Sequence, residues 1–434
     1  MDDHWRASII DSEIQQRQEE GYDVAALRDR FERSGASGLS VEAYESFWQE
    51  LDALPAPRAF PYEEPSDLED IRALRPEGPR RIKLSLAEDV LADKMLGAWL
   101  GRCAGCLAGK PVEGWPRERI RQYLEAGNEY PLAGYMPYIL AAPEESRVRP
   151  QVQPWTRGYI SEAPRDDDTD YTILGLHIVE RHGRDFTTED VAQEWLETLP
   201  YLRTYTAERI AYHNLVLGLE PPATATYRNP YREWIGAQIR ADGFGYVNPG
   251  DLQLAAEYGW RDARLSHVKN GIYGEMWAAA MIAAAFTTDD IEKIIRIGLS
   301  EIPANCRLAE ALGRSMAAFS THPTWEQAWD ELLQLYGGYH RVHTINNAVI
   351  VALGLLYGRG DFSKTVSIAV MGGLDTDCNG ATAGSVIGAM LGAKRIPEAY
   401  VAPLNNTLRS AVFGYDGTRI SDLAKRTLAV ARSK

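Results

Sequence analysis

The residues in this sequence with the clearest potential for chemistry are two short groups of aspartates. Asp166, Asp167 and Asp168 are consecutive and precede an apolar segment with the spacing of a helix. Asp375 and Asp377 flank a threonine and precede a second apolar segment. Each group is therefore predicted to lie at the N-terminus of a helix, where the helix dipole favours negative charge.

Several adjacent carboxylates need more compensation than a helix N-terminus provides. The dipole is worth only about 0.3 to 1 kcal/mol, whereas bound cations would offset the repulsion directly. Oxygen ligands without a nearby His or Cys pair favour Mg²⁺, Mn²⁺ or Ca²⁺ over zinc. Alternatively, each group is a solvated helix cap, the common role of an isolated aspartate. Gly372 and Gly373 precede the second group and favour the metal site, because they let the backbone approach a ligand closely.

Glycine recurs at every fourth position in two further segments. A glycine inside a helix costs up to about 1 kcal/mol relative to alanine, so these stripes need a compensating gain. Two central helices in close contact would supply it, and we expect the two stripes to lie near each other. The stripes are Gly97, Gly101, Gly105 and Gly109, and Gly380, Gly384, Gly388 and Gly392.

The spacing of apolar residues predicts an all-α fold of helices separated by loops. Residues 1–54 are expected to form an N-terminal helical extension, and the proline-rich residues 55–84 a linker. Residues 85–434 would form a compact catalytic domain, which Ser85 and Glu88 open as a helix capping box. Within it, about residues 117–164 are predicted to be an irregular insertion with short helical turns, of the kind that forms lids or binding loops.

Composition narrows the classes of protein to which the chain can belong. The chain has 434 residues and a formal net charge of −15, which argues against a nucleic-acid partner. Its four cysteines give no disulfide framework, as expected of a reducing compartment. No apolar run has membrane-spanning length, and the first residues do not resemble a secretory signal. We therefore expect a soluble, cytoplasmic protein without a membrane partner.

Three segments, taken in order, resemble a known family. They are MLGAWLGRCAGCLAGKPVEGW, DDDTDYTILGLHIVE and GGLDTDCNGATAGSVIGAMLGA, and they resemble the ADP-ribosylglycohydrolase family over about residues 90 to 430. The resemblance implies a metal-dependent hydrolase that cleaves a glycosidic bond with a metal-activated water. The substrate would be an ADP-ribosylated protein or an ADP-ribose-like small molecule. Two divalent cations are implied as cofactors, Mg²⁺ or Mn²⁺, with Ca²⁺ as an alternative.

The resemblance assigns metal-ligand roles by position. Asp167 and Asp168 fall on the paired aspartates of the family's first metal motif. Asp375 and Asp377 fall on the aspartates of its second motif. Asp166 stands where the family usually has Thr or Ser, and so adds a further oxygen ligand and a charge.

Two other positions depart from the family's pattern. Cys378 replaces a common threonine ligand and offers a soft sulfur that is poorly suited to Mg²⁺. Arg102 stands where many relatives have an aspartate. These departures leave the predicted metal site in place and bear mainly on the identity of the substrate.

Three more residues receive roles from the resemblance. Glu113, in the KPVEG string, matches the family's mobile active-site glutamate, which would act as a general acid or base. His267 resembles a substrate-side histidine, and Asn270 is assigned to substrate binding with it. Which aromatic residue stacks on the base is left open.

Two other functions remain open alongside this one. The same metal site would also suit a smaller N-ribosyl compound, such as a nucleoside. A non-catalytic ADP-ribose-binding module is the other alternative, which the presence of Glu113 and the four matching aspartates disfavours. Cys103 and Cys106 are interpreted as core residues, because a single CxxC lies within a glycine-striped helix. His340 and His343 are interpreted as structural, since no acidic partner is near them in sequence.

Overall fold

The computed structural model describes residues 2–34, 38–57 and 59–433, and confirms the all-α fold. The first helices pack around a small core of their own that includes Ile10, Phe47 and Leu51. These helices are α1 (Asp3–Glu19), α2 (Ala25–Arg33) and α3 (Val41–Asp52). A further helix, α4 (Leu68–Leu74), lies in the proline-rich segment. The division at residues 54 and 84 stays a prediction.

The main body follows as a series of helices around one large hydrophobic core. Its first half consists of α5 (Glu88–Gly109), α6 (Arg117–Ala126), α7 (Asp167–His182), α8 (Thr188–Thr198), α9 (Thr206–Val216), α10 (Ala223–Thr226), α11 (Ala241–Tyr246) and α12 (Leu252–Ala263). Its second half consists of α13 (Lys269–Ala285), α14 (Ile291–Leu299), α15 (Arg307–Thr321), α16 (Trp325–Tyr336), α17 (Thr344–Gly358), α18 (Phe362–Met371), α19 (Thr376–Leu391), α20 (Glu398–Val401) and α21 (Ile420–Arg432).

The fold also contains two short strands and several 3-10 turns. Two strands, β1 (Thr407–Leu408) and β2 (Thr418–Arg419), pair antiparallel ahead of α21. The 3-10 turns are Lys110–Val112, Glu144–Ser146, Pro150–Trp155, Tyr201–Arg203, Gln238–Arg240, Ala393–Arg395 and Ala402–Leu404. Among the described residues, none of the helices is both long and apolar enough to cross a bilayer.

Helices α5 and α19 form the centre of the main body, and the prediction that the glycine stripes meet is confirmed. They run antiparallel, so that Gly101 faces Gly384 and Gly105 faces Gly380. A Cβ atom built on Gly101 or Gly105 would overlap the carbonyl oxygen of the facing glycine. Only glycine therefore permits this contact between the two backbones, and the antiparallel direction brings the end of α5 beside the start of α19.

Two local predictions differ from the structure. Helix α5 begins at Glu88 with Ala87 as its cap and no side-chain cap, so the capping box at Ser85 is wrong. Ser85 lies two residues before the cap, in chain that is not helical, and so is not placed to cap the helix. In the insertion, the first ten residues form the regular helix α6, because Ile120 and its neighbours bury one face; irregular chain with 3-10 turns follows.

Candidate active site

A cavity of about 340 Å³ lies where the end of α5 meets the starts of α7 and α19. Both aspartate groups lie at helix N-termini, as predicted: Asp166 caps α7, and Asp375 precedes α19. The structure thus brings together every sequence-predicted metal residue and the predicted catalytic glutamate. The carboxylates that line the cavity are these six, Glu113, Asp166, Asp167, Asp168, Asp375 and Asp377, together with Glu208.

Direct contacts hold the turn that bears Glu113 against the loop that bears Asp375. Thr376 Oγ1 donates to the carbonyl of Gly109 at 2.8 Å, joining the start of α19 to the end of α5. Gly114 N donates to Leu374 O at 3.0 Å. Gly114 adopts φ +73°, a left-handed conformation that glycine adopts without strain. The closeness of Glu113 to the second aspartate group therefore follows from the antiparallel glycine contact.

The first aspartate group has its own cations. Asp166 accepts from the Lys110 ammonium through Oδ2 and from Asp168 N through Oδ1, the latter at 3.2 Å. Asp168 Oδ1 lies 2.9 Å from Arg102 Nη2, and both side chains are buried. Asp167, the middle residue of this group, is partly exposed. Desolvation of its carboxyl and the charges of Asp166 and Asp168 raise its pKa well above the usual range.

The second aspartate group differs, since neither Asp375 nor Asp377 forms an ion pair with any described residue. Asp375 is 5% exposed and Asp377 4% exposed, and Asp377 Oδ1 has no hydrogen-bond partner. Burial, followed by the nearby Glu113, raises the pKa of Asp375 to about 7 and that of Asp377 well above its usual range. A buried carboxylate oxygen without a partner is costly, and either a proton or a bound cation would offset that cost.

These donors fit a divalent cation. Glu113, Asp375 and Asp377 each offer a carboxylate oxygen, and these oxygens lie within 4.8 Å of one another. Asp168, Asp377 and Cys378 form a second such group. Burial raises the pKa of the Cys378 thiol well above its usual range. The oxygen atoms match the preference of Mg²⁺ or Mn²⁺, for which a sulfur is a poor ligand.

Glu113 stands at the mouth of this group. Its side chain is exposed and forms no ion pair with a described residue. Partial desolvation and the nearby Asp166 raise the pKa of its carboxyl, while Lys110 and Arg341 act in the opposite direction. A carboxyl with a raised pKa at the edge of a cavity can hold or release a proton there.

Comparison with known proteins agrees with this geometry. The family model described as ADP-ribosylglycohydrolase matches residues 87–434. The chain belongs to this family. Membership indicates a hydrolase that acts on ADP-ribose-containing substrates. A solved structure entitled "ADP-ribosylglycohydrolase-related protein complex" is 20% identical, covers 79% of this chain and 99% of its own, and has a TM-score of 0.48. A search of curated proteins gives no match.

Part of the cavity wall was missed by sequence reasoning. The rings of Trp234 and His340 stack with centroids 4.1 Å apart and planes 5° apart, and both line the cavity. His340 was interpreted as structural, and its place in the wall revises that interpretation. Desolvation and the neighbouring Arg341 lower its pKa to about 4, so it is neutral at neutral pH. No local sequence signal links these two residues, because they lie far apart in the chain.

The two residues expected to bind substrate lie elsewhere in this member of the ADP-ribosylglycohydrolase family. His267 is buried, and its Nδ1 lies 2.8 Å from Ser266 Oγ. Asn270 is also buried; its Nδ2 donates to Glu233 at 2.8 Å, and its Oδ1 accepts from Leu308 N at 3.0 Å. Neither lines the cavity, and their assignment to substrate binding stays a prediction. The Asn270 side chain joins the start of its own helix to Glu233 and to the start of α15.

The remaining candidates are also placed by the structure. Cys103 and Cys106 are buried within α5, and His343 is buried with its Nε2 3.5 Å from Glu19. Of the insertion aromatics, Trp155 lies under the Lys110 ammonium at 4.9 Å. A larger cavity of about 880 Å³ lies against Arg81 and its neighbours, but neither aspartate group lines it. The chemistry therefore belongs to the smaller cavity.

Proposed function

We propose that the chain is a metal-dependent hydrolase that cleaves the glycosidic bond of an ADP-ribosylated protein or small molecule. One observation carries the proposal: a glutamate in the turn after α5 and two groups of aspartates at the starts of α7 and α19 line one cavity. Family membership supports the same reaction class. The protein would act in the cytoplasm, without a nucleic-acid or membrane partner.

The aspartates have the task of holding metal. Asp167, Asp168, Asp375 and Asp377 would hold Mg²⁺ or Mn²⁺, with Asp166 as a further neighbour. When bound, such a cation would orient ribose hydroxyls and lower the pKa of a nearby water, so that hydrolysis proceeds at neutral pH. The packed glycine helices support this role, because a rigid pair of helices keeps the carboxylates in fixed positions.

Glu113 has the task of moving a proton. Glycosidic cleavage passes through an oxocarbenium-like state, in which a water attacks and the leaving group departs. The Glu113 carboxyl would accept the proton of the water or donate one to the leaving group. The stacked Trp234 and His340 rings form one side of the cavity, where they would exclude bulk water and offer a flat surface to the substrate.

A smaller N-ribosyl compound is the second candidate substrate. The cavity volume of about 340 Å³ favours it, because that value lies near the lower end of the range for small-molecule sites, about 300 to 1,000 Å³. A ribosyl group fits such a space more readily than a complete ADP-ribose. The metal and proton roles would be unchanged.

A substrate screen tests the proposal directly. Purified protein with Mg²⁺ or Mn²⁺ is incubated with ADP-ribosyl-arginine, ADP-ribosyl-serine, O-acetyl-ADP-ribose and simple nucleosides, and release of the ribosyl product is measured. We expect cleavage of at least one compound, abolished by a chelator. Binding of ADP-ribose without cleavage of any compound would contradict the proposal and favour a non-catalytic module.

Replacing the proposed proton carrier then tests the mechanism. Glu113→Gln keeps the volume and removes the ionisable group, so kcat should fall by about 10²- to 10⁴-fold while KM changes little. Glu118→Gln is the matched control, since Glu118 is exposed at the start of α6 and does not line the cavity. A loss of affinity alone would make Glu113 a substrate-positioning residue, and an unchanged rate would remove it from the mechanism.

A further inference from the structure

We propose that the cavity binds a single divalent cation, held by Asp375 and Asp377 beside Glu113, and that Lys110 and Arg102 take the place of a second one. The inference concerns the number of ions, and it rests on the proposed function only for the presence of metal. It departs from the two ions that the family resemblance implies, and under it Asp167 and Asp168 are not ligands of the bound ion. Three sets of contacts support it.

Lys110 already neutralises Asp166. The Lys110 ammonium contacts Asp166 Oδ2, and Asp166 Oδ1 accepts from Asp168 N at 3.2 Å. Both oxygens of this carboxylate are therefore engaged by groups of the protein. Lys110 is fixed in place, because its ammonium also lies 4.9 Å from the centre of the Trp155 ring. An ion near Asp166 would have to displace a fixed positive charge.

Arg102 plays the corresponding part at Asp168. Arg102 Nη2 lies 2.9 Å from Asp168 Oδ1 and also donates to the Asp168 carbonyl at 2.9 Å. The guanidinium is fully buried, and its Nη1 lies 3.2 Å from Asp242, with which Arg102 shares its charge. The side chain cannot move aside into solvent. A second ion at this end of the cavity would therefore face two immobile cations.

At the other end of the cavity, none of the described cations contacts the carboxylates directly; Arg341, which also lines the cavity, acts on Glu113 and Asp375 only from beyond ion-pair distance. Among the residues that the structure describes, no Lys, Arg or His forms an ion pair with Glu113, Asp375 or Asp377, whose oxygens converge within 4.8 Å. Asp377 Oδ1, buried and without a hydrogen-bond partner, belongs to this group. Electrostatic attraction and repulsion are both stronger in a buried site than in water. A cation is therefore attracted to these carboxylates and repelled by Lys110, so it should bind beside the carboxylates.

Counting bound ions tests the inference without any enzyme assay. The full chain is dialysed to equilibrium against Mn²⁺, and metal per chain is measured by elemental analysis, with the electron paramagnetic resonance spectrum recorded to detect coupled pairs of ions. We expect one Mn²⁺ per chain and no coupled-pair spectrum. Lys110→Met, which removes the charge and keeps the length of the side chain, should raise the count to two.

Two further variants separate charge from other effects. Lys110→Arg keeps the cation and should leave one ion per chain. Lys425→Met makes the same substitution at an exposed position on α21 and should also leave one. The wild-type count by itself remains decisive if Lys110→Met does not fold.

The possible results are distinct. Two ions in the wild type would overturn the inference and leave the proposed function intact. One ion in both the wild type and a folded Lys110→Met variant would overturn the role of Lys110. No bound Mn²⁺ would overturn the inference and the metal requirement together, whereas hydrolysis would still be judged by the substrate screen.

Discussion

Two buried regions of this molecule are rich in carboxylates, and they differ in what faces those carboxylates. One lies between α1 and the main body, where four glutamates each contact an arginine. Arg232 lies 2.6 Å from Glu13 and 2.8 Å from Glu20, while Arg307 lies 2.7 Å from both Glu64 and Glu233. We call this set the docking network: Glu13, Glu20, Glu64, Arg232, Glu233 and Arg307.

The cavity is the opposite case. There Asp375 and Asp377 are as buried as the acids of the docking network, yet they form no ion pair with a described residue. In the docking network the carboxylates are bound by the protein's own cations and join two parts of the chain. In the cavity they lack such cations, and we propose that an external cation binds there. The two regions are alike in burial and residue type, and they differ in whether each carboxylate contacts a cation of the protein.

The largest expected effect comes from breaking the docking network. Arg307→Met removes the cation and leaves Glu233 and Glu64 buried without it, so the free energy of unfolding should fall by about 3 to 5 kcal/mol. Urea denaturation measures it. Arg314→Met is the matched control on the same helix, because Arg314 pairs with Glu310 at the surface and should contribute at most about 1 kcal/mol. Equal effects of the two variants would show that the network does not hold α1.

A smaller effect is expected at Glu19, a carboxylate of α1 that lies beside the docking network without an arginine partner. Its side chain accepts from Gln15 at 2.8 Å and faces His343 and Glu233. Burial, with the repulsion of Glu233, raises its pKa to about 7 from an ordinary 4.5. Its contribution to stability is thus complete below pH 4.5 and is lost as the pH rises through 7.

Glu19→Gln tests that sign. The wild type should lose about 3 kcal/mol of unfolding free energy, relative to the variant, between acidic and mildly alkaline pH. The two proteins should therefore be similar below pH 4.5, diverge as the pH rises from 4.5 to 7, and differ by a constant amount above pH 7. Glu32→Gln, on an exposed face of α2, serves as the control and should follow the wild type at every pH. Parallel curves for Glu19→Gln would mean that this carboxylate is solvated.

The central helices and the helix-end positions of the aspartates could be predicted from the sequence, because both depend on local spacing. Glycine at every fourth residue marks one face of a helix, and this repeat in α5 and α19 indicated their contact. Likewise, an aspartate group before an apolar run marks a helix start, as at Asp166. From these two local patterns, the meeting of the acidic groups could be expected.

Other features depend on contacts between distant segments and could not be predicted. The ion pairs of Arg232 and Arg307 join the N-terminal residues to the main body, and no local pattern announces such partners. The stacked pair of Trp234 and His340 is formed in the same way. His267, for which the resemblance implied a substrate contact, is buried away from the cavity, and that assignment stays a prediction.

The smallest expected effect is at the cavity, and it should have the opposite sign to the effect at Arg307. Asp377→Asn removes one negative charge from a group of repelling carboxylates and keeps the side-chain volume. With a chelator present, the variant should therefore be more stable than the wild type by about 1 kcal/mol, since the lost repulsion exceeds the lost interaction with the helix dipole.

The matched substitution at Asp168 completes the test. Asp168→Asn leaves Arg102 buried with Asp242 as its remaining acidic partner, so stability should fall. Thermal unfolding of the two variants in the presence of a chelator measures both signs, and added Mn²⁺ should stabilise the wild type more than Asp377→Asn. If both substitutions destabilise the metal-free protein, then the charged Asp377 side chain, like that of Asp168, is stabilised by contacts within the protein. The distinction between paired and unpaired aspartates would then fail within the cavity itself.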